Sequence, residues 1–350
     1  ILHMMITIPQ RVVGEAIIRS AEKTPNKTAV IAKGREYSYK NFSECSLKIA
    51  KYLVEAGIEK GDRIAVFMNN SFESAVALYG ITMARGVFVF INPQTKSDKL
   101  AFILNDCDVR IIFSESHLKK ALSNTLPLVK SVTEVIIAGN GPLTDGQISV
   151  NLTGLKDIIK SDYPGVSLPK LIPVDLAALI YTSGSTGFPK GVMITHQSMV
   201  FATWSLIEYL RLEENDSIML LLPMAFDYGL YQLLMSVTIG GTLIVEQSFS
   251  FPATIKKHIE KYKPSVFPGV PTIFALLIDY YKRSDWVFES IEKVTNTAAR
   301  LAPEYIPYLK KIFPNALIFK MYGLTECKRV CYLEPELIES RPDSVGKAIP

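Results

Sequence analysis

Short apolar runs alternate with amphipathic stretches along the whole chain. Residues 62–68 (DRIAVFM), 87–91 (VFVFI), 109–113 (VRIIF) and 132–138 each hold a short run of successive apolar residues, which predicts buried strands. Residues 71–85 (SFESAVALYGITMAR) and 96–106 between them have helical spacing; Ser71 is placed as the N-cap of the first and Gly86 as its stop. The alternation resumes after residue 170. Strands are predicted over 176–181, 217–222, 242–245, 265–267, 293–297 and 316–320. Helices are predicted over 197–210, 228–238, 254–262, 271–281 and 303–313. This strand–helix–strand order predicts an α/β fold with mostly parallel, doubly wound sheets. Strands that are apolar throughout suit sheets covered on both faces.

Turn residues divide the pattern. Residues 139–142 (GNGP) form a turn cluster, and 162–170 (DYPGVSLPK) are rich in Pro, Gly and Ser. The second stretch is taken as a boundary, giving two similar layered subdomains over 9–165 and 166–350. Residues 1–8 lack a basic leader region and read as a cloning remnant and disordered start ahead of a native Met.

A length of 350 residues allows two or three compact units, and 48% hydrophobic against 21% charged residues is ordinary for a globular protein. The net charge of +4, without a long basic run, argues against nucleic acid as a partner. Cys45, Cys107, Cys327 and Cys331 have neither disulfide-scaffold nor zinc spacing, so free thiols in a cytoplasmic protein are expected. No apolar run reaches the roughly 20 residues that span a bilayer.

The densest chemical signal is residues 181–191, YTSGSTGFPKG, directly after a predicted strand. Its glycines let backbone N–H groups approach an anion closely. The hydroxyls of Thr182, Ser183, Ser185 and Thr186 can donate to phosphoryl oxygens, and Lys190 adds a point charge. Pro189 rules out the G-x-x-x-x-G-K-[ST] phosphate loop, and no G-x-G-x-x-G occurs.

The pattern Y-T-S-G-S-T-G-x-P-K-G resembles the AMP-binding signature of the adenylate-forming superfamily. That group includes acyl-CoA synthetases, the adenylation domains of nonribosomal peptide synthetases and firefly luciferase. Residues 321–326 (MYGLTE) resemble its Y-G-x-T-E motif, after a strand at the carboxyl edge where open sheets bind ligands. Residues 36–42 (EYSYKNF), 61–69 (GDRIAVFMN) and 344–350 (SVGKAIP) are similar to other family segments, so the resemblance covers nearly the whole chain.

The resemblance implies roles residue by residue. Thr182, Ser183, Gly184, Ser185, Thr186, Gly187 and Lys190 would hold the ATP phosphates, with Thr182, Lys190 and Glu326 catalytic. Ala298, Ala299 and Arg300, within 296–300 (NTAAR), would line the adenine, with Tyr322 stacked on it. Gly323 belongs to the same motif, Thr325 would contact the α-phosphate, and Glu326 would help hold Mg²⁺. Phe226, Asp227, Tyr228, Gly269 and Leu324 would border the acid. Phe226–Asp227 is similar to the F-D-x-S motif of amino-acid-activating domains, whose Asp pairs with the substrate ammonium, although Gly229 stands in place of the serine. A second role is open for Asp227, as cap of the helix that follows. His196 is expected to open a helix, and His117 and His258 to lie on solvated helix faces.

The implied activity is ATP-dependent formation of an acyl-adenylate with release of pyrophosphate. Thioester formation on CoA or a carrier-protein phosphopantetheine would follow. An amino acid is the favoured acid and a fatty or aryl acid the alternative. A non-catalytic nucleotide-binding module and a γ-phosphoryl-transferring enzyme are the rivals from other classes. A further barrel-like part and a small mobile domain carrying a catalytic Lys are expected beyond residue 350.

Overall fold

The computed structural model describes residues 8–139, 150–182, 189–247, 249 and 252–350. In chain order the strands begin with β1 (Thr28–Ala32), β2 (Arg35–Ser38), β3 (Arg63–Phe67), β4 (Val87–Ile91), β5 (Val109–Glu115), β6 (Glu134–Ala138), β7 (Asn151–Gly154) and β8 (Leu176–Thr182). They continue with β9 (Lys190–Thr195), β10 (Ser217–Leu220), β11 (Thr242–Val245), β12 (Val266–Gly269), β13 (Lys293–Asn296), β14 (Leu317–Tyr322), β15 (Cys331–Leu333) and β16 (Lys347–Ala348).

Among the described residues they form two sheets, of order β7-β6-β5-β3-β4-β8-β9 and β16-β15-β14-β13-β12-β10-β11-β1-β2. The interior pairings are parallel, as the alternation predicts. Antiparallel pairs finish three of the four edges: β8 with β9, β1 with β2, and β14 with β15 followed by β15 with β16; β7 closes the fourth as a parallel strand on β6. The continuous apolar strands are covered on both faces. Every residue of β4 is buried, and Ala65, Phe67, Val89, Ile112 and Val135 share one core of the first sheet.

The chain divides into two compact units. One holds the described residues of 1–25, 40–68 and 73–204; the other holds 26–39, 69–72 and 205–350. The expected boundary at 165/166 therefore falls inside the first unit. The reason is pairing at long range: β8 lies parallel to β4, with Ala178 opposite Phe88, so residues beyond 165 join the first sheet. In turn β1 lies parallel to β11, with Val30 opposite Leu243, so an early hairpin belongs to the late sheet.

The helix Tyr39–Glu55 is not among the predicted elements, yet Phe42, Cys45, Ile49 and Leu53 recur on one buried stripe. In the second unit, helix Asp227–Ile239 ends on Gly240 in the left-handed region (φ 72°), with the Gly241 N–H donating to the Ser236 carbonyl at 2.8 Å. At the amino ends of its strands, buried Lys293 Nζ bonds both oxygens of Asp216 at 3.0 and 3.1 Å, and Ser265 Oγ donates to the same carboxylate. That end is closed by a satisfied ion pair, which leaves the carboxyl edge for chemistry.

Candidate active site

In the second unit the carboxyl ends of β10, β12, β13 and β14, parallel neighbours in one sheet, carry the predicted acid and adenine residues. The segment after β10 is anchored by buried Asn70. Its amide donates to the carbonyls of Leu222 (2.9 Å) and Glu246 (3.2 Å), and its Oδ1 accepts from Met224 N–H at 3.0 Å. That segment delivers Phe226, exposed, and Asp227, the first residue of its helix. Gly229 explains the departure from F-D-x-S. A Cβ there would stand 2.3 Å from the Pro223 carbonyl oxygen and 2.5 Å from that of Leu222.

Asp227 does not cap its helix by a side-chain bond, which answers the second role left open for it. Its Oδ2 accepts from Arg329 Nη1 at 2.9 Å, and Arg329 is only 3% exposed. The guanidinium lies 5.3 Å from the centroid of the Tyr228 ring. Tyr228 is itself buried, its hydroxyl donating to the Thr295 carbonyl at 2.7 Å. Lys328 is buried beside this pair, and burial pushes its amine down to about 8, although the Asp227 carboxylate pulls the other way. Two buried cations thus lie near one partly buried carboxylate.

The turn after β14 is tightly closed. Val330 N–H donates to the Tyr322 carbonyl at 2.9 Å, and Lys328 Nζ to the Thr325 carbonyl at 2.8 Å. Gly323 is required by close approach, since a Cβ would lie 1.9 Å from the Lys328 carbonyl oxygen. Lys328 takes a left-handed φ of 63°, and Ala298 one of 71°. Such conformations are costly for non-glycine residues and cluster at functional sites. Tyr322 and Leu324 are exposed, as are Ala298, Ala299 and Arg300, whose guanidinium pairs with Asp343. Gly269 is buried at the end of β12 under the Phe274 ring.

In the first unit, the two ends of the 181–191 segment lie in strands. Tyr181 and Thr182 end β8, Lys190 and Gly191 begin β9, and Thr182 stands opposite Lys190. Tyr181 Oη donates to Asp106 at 2.6 Å, and its ring lies against Gly191, where a Cβ would come within 3.1 Å. Ser183, Gly184, Ser185, Thr186 and Gly187 lie outside the described residues. His196 opens its helix as expected. It is fully buried, and its Nδ1 accepts from Val13 N–H at 3.2 Å. His258 is not simply solvated: its Nδ1 contacts Glu246 at 2.5 Å.

The AMP-binding family, described as "AMP-binding enzyme", matches residues 17–350. The chain belongs to this family. Similar proteins include a long-chain-fatty-acid–CoA ligase of Bacillus subtilis (strain 168), 27% identical over 97% of this chain and 64% of the ligase. Tyrocidine synthase 3 of Brevibacillus parabrevis is 28% identical over 87% of this chain and 4% of the synthase. The chain therefore spans less than two thirds of the length of these curated relatives. Among solved structures, VinN in complex with L-aspartate is 27% identical, with a TM-score of 0.84, over 97% of this chain and 84% of VinN. An anthranilate CoA ligase with anthranoyl-AMP has the same fold at a TM-score of 0.88 and 21% identity, over 98% of this chain and 65% of the ligase.

Two described residues carry groups of the kind that a nucleotide and its metal would need, Glu326 and Asn296. Glu326 is exposed, and no ion pair to it occurs among the described residues. No cluster of three or more metal-ligating side chains occurs among the described residues either. One carboxylate suits Mg²⁺ that arrives on phosphate oxygens. Asn296 Nδ2, buried at the end of β13, has no partner among the described residues and can donate to a ligand acceptor. No helix among the described residues is long and apolar enough to cross a membrane.

Two features lay beyond sequence reasoning. Asn70 is one polar residue in a run and acts across more than 150 positions. Arg329 and Lys328 follow the Y-G-L-T-E motif directly. Adjacent cations entering an apolar strand were the signal that could have marked them.

Proposed function

We propose that the intact protein joins ATP to the carboxylate of an amino acid that carries a second carboxylate, giving the aminoacyl-adenylate and pyrophosphate. The observation that carries this reading is the charge set Asp227, Arg329 and Lys328 at the carboxyl edge of the second sheet. A carboxylate there suits an ammonium group, and two buried cations suit an anion; an alkyl tail offers a partner to none of the three. The reading is supported by VinN, whose crystal structures hold L-aspartate and 3-methylaspartate.

In the reaction a substrate carboxylate oxygen bonds to the α-phosphorus while the bond to the bridging oxygen breaks and pyrophosphate leaves. The residues' task is positioning and charge neutralisation. The phosphates are assigned to Thr182, Lys190 and residues 183–187. Adenine is assigned to Tyr322, Gly323 and residues 298–300, the α-phosphate to Thr325, and Mg²⁺ to Glu326. Mg²⁺ supplies charge for the phosphate oxygens. The acid is assigned to Phe226, Asp227, Tyr228, Gly269 and Leu324. A thiol, of CoA or of a carrier-protein phosphopantetheine, then attacks the acyl carbon and AMP departs.

Pyrophosphate exchange with the full-length protein over acidic, neutral and fatty acids tests this. Exchange with aspartate-like acids is expected. Exchange confined to fatty acids would favour the activity of the B. subtilis ligase and reject the acidic amino acid.

A further inference from the structure

The Asp227–Arg329 pair is incomplete as ion pairs go. Only Nη1 reaches Asp227, at 2.9 Å, and the same nitrogen donates to the Lys328 carbonyl at 3.0 Å. Arg329 Nε is buried without any partner among the described residues. A guanidinium offers a fork that matches a carboxylate with two parallel bonds, and here half the fork is unused. Tyr231 Oη is a second buried polar atom without a partner among the described residues, and it feels the charges of both Asp227 and Arg329. Unpaired polar atoms around a half-made ion pair mark a place that a polar ligand completes.

Resting on the proposed acidic amino acid, we infer that Arg329 occupies the ammonium seat on Asp227 in the unliganded enzyme, and that the substrate binds by exchanging both partners at once. The substrate ammonium replaces the guanidinium on Asp227, and its second carboxylate replaces Asp227 on the guanidinium, using Nε as well. No bond other than hydrogen bonds is made or broken, and no net charge is left over in the exchange.

Selectivity follows from the cost of stranding one member of a buried pair. A neutral amino acid satisfies Asp227 but strands Arg329. A dicarboxylic acid without an amine satisfies Arg329 but strands Asp227. Only an acid with both groups satisfies both. The resident pair is therefore a competitor for every incomplete substrate, and removing one member should help the ligand that matches the other. A simple contact role predicts losses only.

The test uses full-length protein and three sulfamoyl-adenosine mimics of the adenylate, with aspartyl, alanyl and succinyl groups, measured by calorimetry. Wild type should bind the aspartyl mimic at least tenfold more tightly than the other two. Arg329→Met should bind the alanyl mimic several-fold more tightly than wild type does, while losing tenfold or more for the aspartyl mimic. Asp227→Asn should gain in the same way for the succinyl mimic. If Arg329→Met does not fold, Asp227→Asn decides alone, because Asn is nearly isosteric. Variants that weaken all three mimics, or leave the alanyl and succinyl affinities unchanged, overturn the exchange while the proposed substrate stands. A wild type that binds a palmitoyl mimic and none of the three overturns both.

Discussion

Gly229→Ser would install the residue expected from the F-D-x-S pattern, and the structure refuses it. The new Cβ would stand 2.3 Å from the Pro223 carbonyl oxygen and 2.5 Å from that of Leu222. Relief to ordinary contact needs a shift of about 1 Å, and both obstacles are backbone, so neither can swing away. Overpacking of this kind costs roughly 1–3 kcal/mol, and rigid neighbours place it near the top of that range. Replacing a helical glycine returns about 0.5–1 kcal/mol. The net expectation is a loss of about 2 kcal/mol, or roughly 4–8 °C in melting temperature for a unit of this size. Circular dichroism melts of wild type, Gly229→Ser and Gly229→Ala report it, since both variants carry the same Cβ. A shift of the helix start also moves Asp227, two residues away, so binding of the aspartyl mimic should fall by tenfold or more. Melting within about 1 °C of wild type, with aspartyl affinity intact, would refute the steric account of this glycine.

Three further outcomes are expected. Lys190→Ala should weaken ATP binding by roughly 1–3 kcal/mol and leave the melt unchanged, because Lys190 is exposed at the start of β9; unchanged affinity by calorimetry would remove it from the phosphate site. Glu326→Gln should raise the Mg²⁺ needed for half-maximal pyrophosphate exchange at fixed ATP, and coincident titration curves would end its metal role. Burial holds the His196 imidazole down at about 4, below its ordinary 6.5. The unfolded chain therefore takes up a proton that the folded chain refuses, so stability is full above pH 6.5 and falls as the pH drops toward 4. About 2 kcal/mol should be lost between pH 7 and pH 5. His196→Asn, which keeps an acceptor for Val13 N–H, should flatten that slope, and identical pH profiles would count against the assignment.

Local chemistry made most elements legible from residues alone. The β4 run VFVFI can only be a strand buried on both faces, because any exposed position would waste apolar surface. The helix Asp227–Ile239 ends where Gly240 allows a left-handed turn. The density of glycine, hydroxyl and lysine in residues 181–191 suits an anion whatever the fold around it. The sequence by itself therefore determined most of the elements, the layered α/β class and the family resemblance carried by residues 181–191 and by Y-G-L-T-E.

Tertiary structure decided what depends on separation along the chain. The pairing of β1 with β11 moved an early hairpin into the late sheet, because a strand takes its partner from the register that buries it and not from its neighbours in sequence. The fate of Asp227 was settled by Arg329, 102 residues away. From sequence, Asp227 is a free acid at a helix start, able to cap or to bind. In the fold its carboxylate faces a buried guanidinium, because a charge removed from water must find an opposite charge within reach. Which opposite charge is within reach is a property of the folded chain alone.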